Sequence, residues 1–203
     1  MCKRQDQEAL RVLFQRYERP VYSLLYRMLS SHEDAEEALA DVFVKVWKGA
    51  PKFKGKAKFT TWLYRIASNT ARDCLRSRKT RQEVSTEDTL LNEVQATGTD
   101  ADRTDPVKAA AASEQKSEIV RALAQLSEED RLLIVLYHFQ ERDYREITEI
   151  TGIEPNNLKV KLFRARQRLK KVCSVMEGGV GENELQRSAN KPSGLQQGSA
   201  EWA

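Results

Sequence analysis

The 203-residue sequence has few residues of the kinds that hold metals or attack substrates, with only three cysteines and two histidines. Cys2, Cys74 and Cys173 are far apart and form no CxxC pair, which argues against a disulfide framework and against a zinc site. His32 and His138 each lack a second metal ligand at helical spacing. The motifs of nucleotide-binding loops, serine hydrolases and zinc proteases are also missing. We therefore predict no metal, no cofactor and no enzymatic activity.

Long hydrophobic runs are missing as well. No apolar stretch approaches the roughly 20 residues that a membrane-spanning helix needs. The first residues of the chain lead into no apolar core of the kind found in signal peptides. Charged residues make up 32% of the chain. We therefore expect neither membrane insertion nor secretion, and we expect a cytoplasmic protein.

Positive and negative charges are segregated along the chain, although the net charge is only +4. Residues 45–58 carry six lysines and no acid, and residues 156–171 carry seven basic residues and no acid. Residues 72–81 are also basic, whereas residues 83–105 contain seven acids and one arginine. A single charged run is most often a solvated helix face. The acidic stretch has basic segments on both sides of it, which favours two polyanion-binding modules joined by a linker.

Apolar residues recur at helical spacing through residues 1–78, which we predict to be one helical domain. Pro20 interrupts the first helical pattern and is expected to kink that helix or to start a second one. Ser31 and Asp34 have the spacing of a helix N-cap, and an apolar stripe follows them. After a lysine-rich loop, a further helix is predicted to begin near Thr60.

The second half of the chain has three parts. Residues 79–114 are acidic, rich in threonine and without apolar periodicity, so we expect a flexible linker. Helical periodicity returns over 115–173, where a short helix, Gly152 and a basic helix starting at Pro155 form the pattern of a helix-turn-helix. The tail over 174–203 is predicted to be disordered. The predicted fold class is all-α, with two small helical domains, a flexible acidic linker between them and a helix-turn-helix in the second domain.

The helix that begins near Thr60 has a polar, basic face opposite its apolar one. Arg65, Asn69, Arg72 and Arg76 share this face, and Trp62 lies at its edge. Arginines can follow a phosphate backbone, an amide can bind a base edge, and an aromatic ring can stack on a base. The face therefore suits single-stranded nucleic acid. The alternative for Trp62 is a core position, because Trp is usually mostly buried.

The last predicted helix has the division of faces that a recognition helix needs, with an apolar back and a basic front. Lys159, Val160, Phe163, Arg164 and Gln167 point outward. Three further basic residues flank this face: Lys161, Arg166 and Arg168. Lys and Arg can bond guanine or phosphate in the major groove, and an aromatic ring can pack on a thymine methyl group. The alternative is a solvated basic helix.

The start of the second predicted helix is acidic, with carboxylates at Glu33, Asp34, Glu36, Glu37 and Asp41. An acidic surface does not favour DNA, so we expect it to face a basic protein partner. The alternative is that these charges only complement the helix dipole and aid solubility.

Three segments together resemble bacterial RNA polymerase sigma factors of the extracytoplasmic-function (ECF) type. DAEEALADVFVKVW (34–47) is similar to their polymerase-binding segment, and FTTWLYRIASNTARDCLR (59–76) to the helix that melts and reads the minus-ten element. Residues 126–169 are similar to the domain that reads the minus-thirty-five element. The resemblance implies a promoter-specificity factor that binds core RNA polymerase and directs transcription initiation at minus-thirty-five duplex and melted minus-ten DNA. It also implies an anti-sigma protein as a partner.

The resemblance further implies roles for individual residues. Asn69 and Asp73 would lie near the flipped base of the minus-ten element. Four residues would lie in or beside the minus-thirty-five major groove: Lys159, Lys161, Phe163 and Arg164. Five would contribute to docking on the polymerase clamp: Asp34, Glu36, Glu37, Asp41 and Phe43.

Two other functions compete with this one. A free-standing helix-turn-helix regulator would explain residues 114–173 equally well, but it leaves the 59–76 helix and the acidic surface without a purpose. A nucleic-acid-processing enzyme would need clustered carboxylates for metal beside the basic faces, and Asp73 is the only acid there. A requirement for core polymerase would separate the first alternative from a sigma factor.

Overall fold

The computed structural model describes residues 7–84 and 118–176, without the side chains of 82–84. Within these two ranges every regular element is a helix, which confirms the all-α prediction. Most of the predicted linker and nearly all of the predicted tail lie outside the described residues. In the described part of the chain, no helix is long and apolar enough to cross a membrane.

In residues 7–84, three α-helices form the first domain. They are α1 (Gln7–Leu29), α2 (His32–Gly49) and α3 (Phe59–Val84), with a short 3₁₀ turn (Ala50–Lys52) after α2. Their apolar stripes face one another, and the side chains of Leu24, Val42 and Leu63 are fully buried. The oxygen of Ser31 accepts a hydrogen bond from the Asp34 amide at 3.2 Å, as the N-cap spacing predicts.

The structure decides an open alternative at one helix boundary and differs from the sequence-based expectation at another. α1 is one helix that continues through Pro20, so no second helix starts there. Burial of Val21, Leu24, Leu25 and Met28 directly after Pro20 stabilises the continuous helix against the loss of one backbone hydrogen bond. α3 runs on to Val84, six residues into the predicted linker.

The described part of the second domain, residues 118–176, contains four α-helices. They are α4 (118–124), α5 (Glu128–Ile134), α6 (Tyr144–Thr151) and α7 (Pro155–Val175). Asp143 and Glu146 form a capping box at the start of α6. Gly152 ends α6 in the left-handed conformation with φ +75°, which suits a residue without a Cβ. α6, this turn and α7 form the predicted helix-turn-helix.

The segment between α5 and α6 holds a feature that periodicity does not predict. Residues Val135–Phe139 form a π-helical turn, and the Gln140 amide donates to the Val135 carbonyl at 3.0 Å. The wider turn rotates the following side chains relative to an α-helix. As a result, the side chain of Gln140 is buried between the two domains, whose buried apolar residues form one connected cluster.

Candidate nucleic-acid interface

α7 presents a mixed basic and apolar surface to solvent. Leu158, Leu162, Ala165 and Leu169 are buried and attach the helix to its domain. On the opposite side the exposed residues include Lys159, Val160, Phe163, Arg164 and Gln167. Phe163 is 59% exposed, which is unusual for a large aromatic side chain unless it has a partner. This face has the size and chemistry to enter a major groove.

Three other basic residues of α7 are held by their own domain. Lys161 Nζ donates to both oxygens of Glu129 at 2.7 and 2.8 Å. Arg168 Nη1 donates to Asp130 Oδ2 at 2.5 Å, and Asp130 is almost fully buried. Arg166 is held separately, by groups of the π-helical turn. Lys161 and Arg166 were both predicted to bind DNA, but in this structure their side chains fix α7 to α5 and to that turn.

Arg166 is held by a buried histidine and a tyrosine ring. Its Nε donates to His138 Nε2 at 3.0 Å, and its guanidinium lies 4.8 Å from the centre of the Tyr137 ring. Burial, and secondly the positive charge of Arg166, lower the pKa of His138 from 6.5 to about 4. The imidazole is therefore neutral near neutral pH and can accept the arginine's proton in a hydrogen bond.

α3 exposes most of the row of polar residues predicted from its helical spacing. Arg65, Asn69 and Arg76 are exposed and Arg72 is half-buried, and Asp73, which the resemblance implied, is exposed beside them. The other face of the same helix is buried and consists of small and apolar residues, among them Ala67 and Ala71. The arrangement leaves both guanidinium and amide groups free to meet a polyanion.

Trp62 combines the two roles that the sequence left open. Its half-buried ring lies 4.9 Å from Phe53 and 5.8 Å from Phe59, in an aromatic cluster beside the row on α3. A Cβ at Gly49 would lie 2.9 Å from the Trp62 ring, so a larger residue there would displace it. The loop that contains Phe53 also exposes Lys52, Lys54, Lys56 and Lys58. These lysines extend the basic surface of α3. None was predicted as a site residue, although the run of six lysines without an acid over residues 45–58 could have indicated them.

The acidic residues of α2 differ in their exposure and in their contacts. Glu36, Glu37 and Asp41 are exposed. Asp34 forms an ion pair with Arg78 of α3 at 2.6 Å. Phe43, predicted to help dock the polymerase, is instead a core residue that packs 4.7 Å from Phe14.

Val44 is an apolar residue on this surface that the sequence analysis did not single out. It is 48% exposed and lies three residues after Asp41 and seven after Glu37, on the same face of α2. An apolar side chain among carboxylates suits a protein partner better than water. In the described ranges, no cluster of His, Cys, Asp and Glu side chains could hold a metal ion.

Two family models match the chain over the two helical domains. Sigma-70 region 2 matches residues 13–81, which cover most of α1 and all of α2. Sigma-70 region 4 matches residues 116–169, which contain the helix-turn-helix. The ECF RNA polymerase sigma factor SigW of Bacillus subtilis is 30% identical over 175 residues, covering 83% of this chain and 91% of that protein. The chain belongs to the ECF group of RNA polymerase sigma factors.

Other relatives agree with this assignment. The ECF RNA polymerase sigma-E factor of Escherichia coli K12 is 30% identical, covering 81% of this chain and 86% of that protein. The RNA polymerase sigma-H factor of Pseudomonas aeruginosa is 27% identical, covering 83% and 88%. As a sigma factor, this protein is a DNA-binding transcription initiation factor that directs promoter recognition. Nothing in these similarities favours a free-standing regulator.

Solved structures share the fold of this sigma factor. The sigma factor RpoE of Bartonella quintana, in complex with the anti-sigma factor NepR, superposes with a TM-score of 0.65 at 20% identity, covering 83% of this chain and 98% of that one. CnrH in complex with the cytosolic domain of CnrY gives 0.62 at 18% identity, covering 86% and 93%. The two-domain helical architecture is therefore shared even where the sequences have diverged.

Proposed function

We propose that this sigma factor reads promoter DNA with two helices, α7 on minus-thirty-five duplex and α3 on the melted minus-ten strand, without an enzymatic step. The main observation that supports this proposal is that each helix exposes a basic face opposite a buried apolar one. The corresponding domains are residues 1–78 and 115–173. Because the bacterial chromosome and its polymerase are cytoplasmic, the protein acts in the cytoplasm.

Within α7, the residues that contact the groove are those whose side chains are exposed and not bound within the domain. Arg164 and Lys159 can bond guanine or phosphate, and Phe163 can pack on a thymine methyl group. Lys161 and Arg166 contribute indirectly, because their bonds to Glu129 and His138 set the orientation of the helix. This supports a division of labour between base contact and helix positioning.

Within α3, the exposed row supports capture of a single strand. Arg65 and Arg72 lie where they can neutralise phosphates, and Asn69 between them can bond the edge of an unpaired base. Trp62 and the exposed loop lysines border this row, so an aromatic ring and further positive charge are available to the same strand. Asp73 is the acidic member, suited to accept from a base amino group.

The acidic surface of α2 is the proposed docking site for core RNA polymerase. Glu36, Glu37 and Asp41 offer negative charge to a basic partner, and Val44, about one turn after Asp41, adds an apolar contact on the same side of the helix. An anti-sigma protein is a second proposed partner, since the similar RpoE structure is a complex with one.

Run-off transcription with bacterial core polymerase on promoter fragments tests the proposal. We expect discrete transcripts that depend on this protein and fall about tenfold or more with Asn69→Ala or Arg164→Ala. Ser77→Ala on α3 and Arg121→Ala on α4 are matched controls at exposed positions and should leave transcription unchanged. Absence of protein-dependent transcripts together with tight duplex binding without polymerase would establish the free-standing regulator instead.

A further inference from the structure

The centre of the exposed face of α7 is apolar, and its positive charges lie at the sides. Val160 is 48% and Phe163 59% exposed. At about 100° per residue, these two side chains are neighbours on the side of the helix opposite its buried residues. Lys159 and Arg164 are exposed about 40° beyond them, one on each side. A groove that receives this face therefore meets an apolar surface with basic residues beside it.

Two amide side chains continue this central row along the helix without adding charge. Asn156 precedes Val160 by four residues, Gln167 follows Phe163 by four residues, and both are exposed. Asn and Gln bond the N6 and N7 atoms of adenine, whereas apolar side chains contact the methyl group of thymine. The amide and the apolar members of the row therefore both suit A·T base pairs.

The apolar pair lies in the part of α7 that comes nearest to the bases. Val160 is in the second turn of the helix and Phe163 in the third. Recognition helices contact base edges with the residues near their N-terminus. Side chains three residues apart on a helix are about 5–6 Å apart, and successive base pairs are about 3.4 Å apart. The two side chains can therefore meet neighbouring base pairs.

The chemistry of the major groove restricts what an apolar side chain can recognise there. Among the four bases, thymine is the one that presents an apolar group, its C5 methyl, to this groove. Against a G·C pair, Val160 would cover polar base atoms and offer them no hydrogen bond in place of water. The pair Val160 and Phe163 therefore favours thymine and also disfavours the competing bases.

The surroundings of the pair favour DNA over a protein as its partner. Charged residues are depleted at the centres of protein interfaces. The segment 156–171 instead carries seven basic residues and no acid. Val44 of α2 is the contrasting case, because it is an exposed valine on an acidic face. The charge beside Val160 and Phe163 thus matches phosphates.

We propose that Val160 and Phe163 recognise thymine methyl groups and so select A·T base pairs at two neighbouring positions of the minus-thirty-five duplex, while Lys159 and Arg164 contact the flanking phosphates. The inference rests on the proposed entry of α7 into the major groove. It assigns sequence preference to uncharged residues of the helix and most of the affinity to charged ones.

The first experiment uses holoenzyme assembled from the full chain and bacterial core polymerase. A promoter library randomised over the minus-thirty-five region is selected for binding and sequenced. We expect the wild type to enrich A·T pairs at two neighbouring positions. Val160→Ser should remove the preference at one of them and Phe163→Ala at the other. Arg164→Ala should leave both preferences in place.

The second experiment replaces the selected thymines one at a time by deoxyuridine, which lacks only the C5 methyl group. Fluorescence anisotropy of labelled duplex with holoenzyme measures affinity. We expect each replacement to lower wild-type affinity about fourfold, as the loss of one buried methyl group predicts. Val160→Ser and Phe163→Ala should each abolish this effect at one position. Arg164→Ala is the matched control, since it should weaken binding of both duplexes about tenfold and leave their ratio unchanged.

Three results would overturn the proposal. They are enrichment of G·C pairs at the positions that Val160→Ser and Phe163→Ala affect, equal wild-type affinities for the thymine and deoxyuridine duplexes, and a methyl effect that persists in both variants. Equal affinities are also the result expected if the apolar pair binds a protein. The wild-type comparison needs no substitution in the protein, so a folding defect cannot produce it. Selective binding without methyl sensitivity would leave the proposed function intact, whereas holoenzyme that selects no minus-thirty-five sequence would overturn both.

Discussion

α3 and α7 are both basic amphipathic helices, but they use their positive charge differently. In α7, Lys161 and Arg168 are bound by carboxylates of α5, and Arg166 is bound by His138. In α3, Arg65 and Arg76 are exposed and form no ion pair with any residue in the described ranges. Charge that is already paired inside a domain contributes less to binding a polyanion than charge that is free.

The difference follows from how each helix is attached. α3 packs closely through small buried residues such as Ala67 and Ala71, and within the described ranges no carboxylate of a neighbouring helix pairs with Arg65 or Arg76 on its outer face. α7 instead lies beside the acidic first turn of α5, whose Glu129 and Asp130 attract basic side chains across the helix pair. When the acidic first turn of another helix packs against a basic helix, some of the Lys and Arg residues are paired within the protein. Counting all of them then overestimates the number of residues available to contact DNA.

Arg168→Ala has the largest expected effect on this comparison. It leaves the carboxylate of Asp130, whose side chain is 6% exposed, without its cation. Loss of one partner of a buried pair is strongly destabilising, and because the Arg168 side chain is 59% exposed we expect about 2 kcal/mol here. The measurement is chemical denaturation of the full chain, followed by circular dichroism.

Arg164→Ala is the matched control for that experiment, since Arg164 is exposed one helical turn earlier on α7. It should change stability by less than about 0.5 kcal/mol. It should also lower duplex affinity about tenfold and reduce the salt slope of binding by about 1. Equal effects of the two substitutions on stability would refute the division between positioning and DNA-contacting residues.

Features that depend on neighbouring residues could be predicted from the sequence. The N-cap at Ser31 depends on a few consecutive residues, and the structure confirms it. The capping box at Asp143 and the left-handed Gly152 at the two ends of α6 are equally local features. The exposed row on α3 follows from helical periodicity alone. Local rules were therefore sufficient for the helix-turn-helix and for the orientation of both proposed DNA-binding helices.

Features that depend on distant residues could not be predicted in this way. The partners of Arg166 and Gln140 lie 28 and 76 residues away in sequence, so no local pattern indicates that these side chains are engaged. Helical periodicity does not predict the π-helical turn that brings Gln140 between the domains. Phe43 was assigned to a surface by resemblance, although its place in the apolar stripe of α2 already suggested burial.

The pH dependence of stability tests the burial of the neutral His138 imidazole beside Arg166. The unfolded chain binds a proton at His138 more tightly than the folded chain, because the folded pKa is lowered to about 4. The stabilisation is complete above the usual pKa of 6.5 and is lost as the pH falls towards 4. Because the imidazole is partly exposed, we expect about 1 kcal/mol of it to be lost between about pH 7 and about pH 5. His138→Gln should remove this part of the slope, and an unchanged slope would contradict the lowered pKa.

The smallest expected effect concerns Arg78, a basic residue of α3 that is bound within its own domain. Its guanidinium pairs with Asp34 at 2.6 Å and donates to the Leu29 carbonyl at 3.1 Å. Arg78→Ala should cost about 0.5 to 1 kcal/mol of stability, since both side chains of the pair are partly exposed. Arg76→Ala, two residues earlier and exposed, should leave denaturation unchanged but weaken single-strand binding. If Arg78→Ala instead weakened strand binding without a loss of stability, Arg78 would act as a DNA-contacting residue like Arg65 and Arg76. These three basic residues of α3 would then all differ from the paired residues of α7.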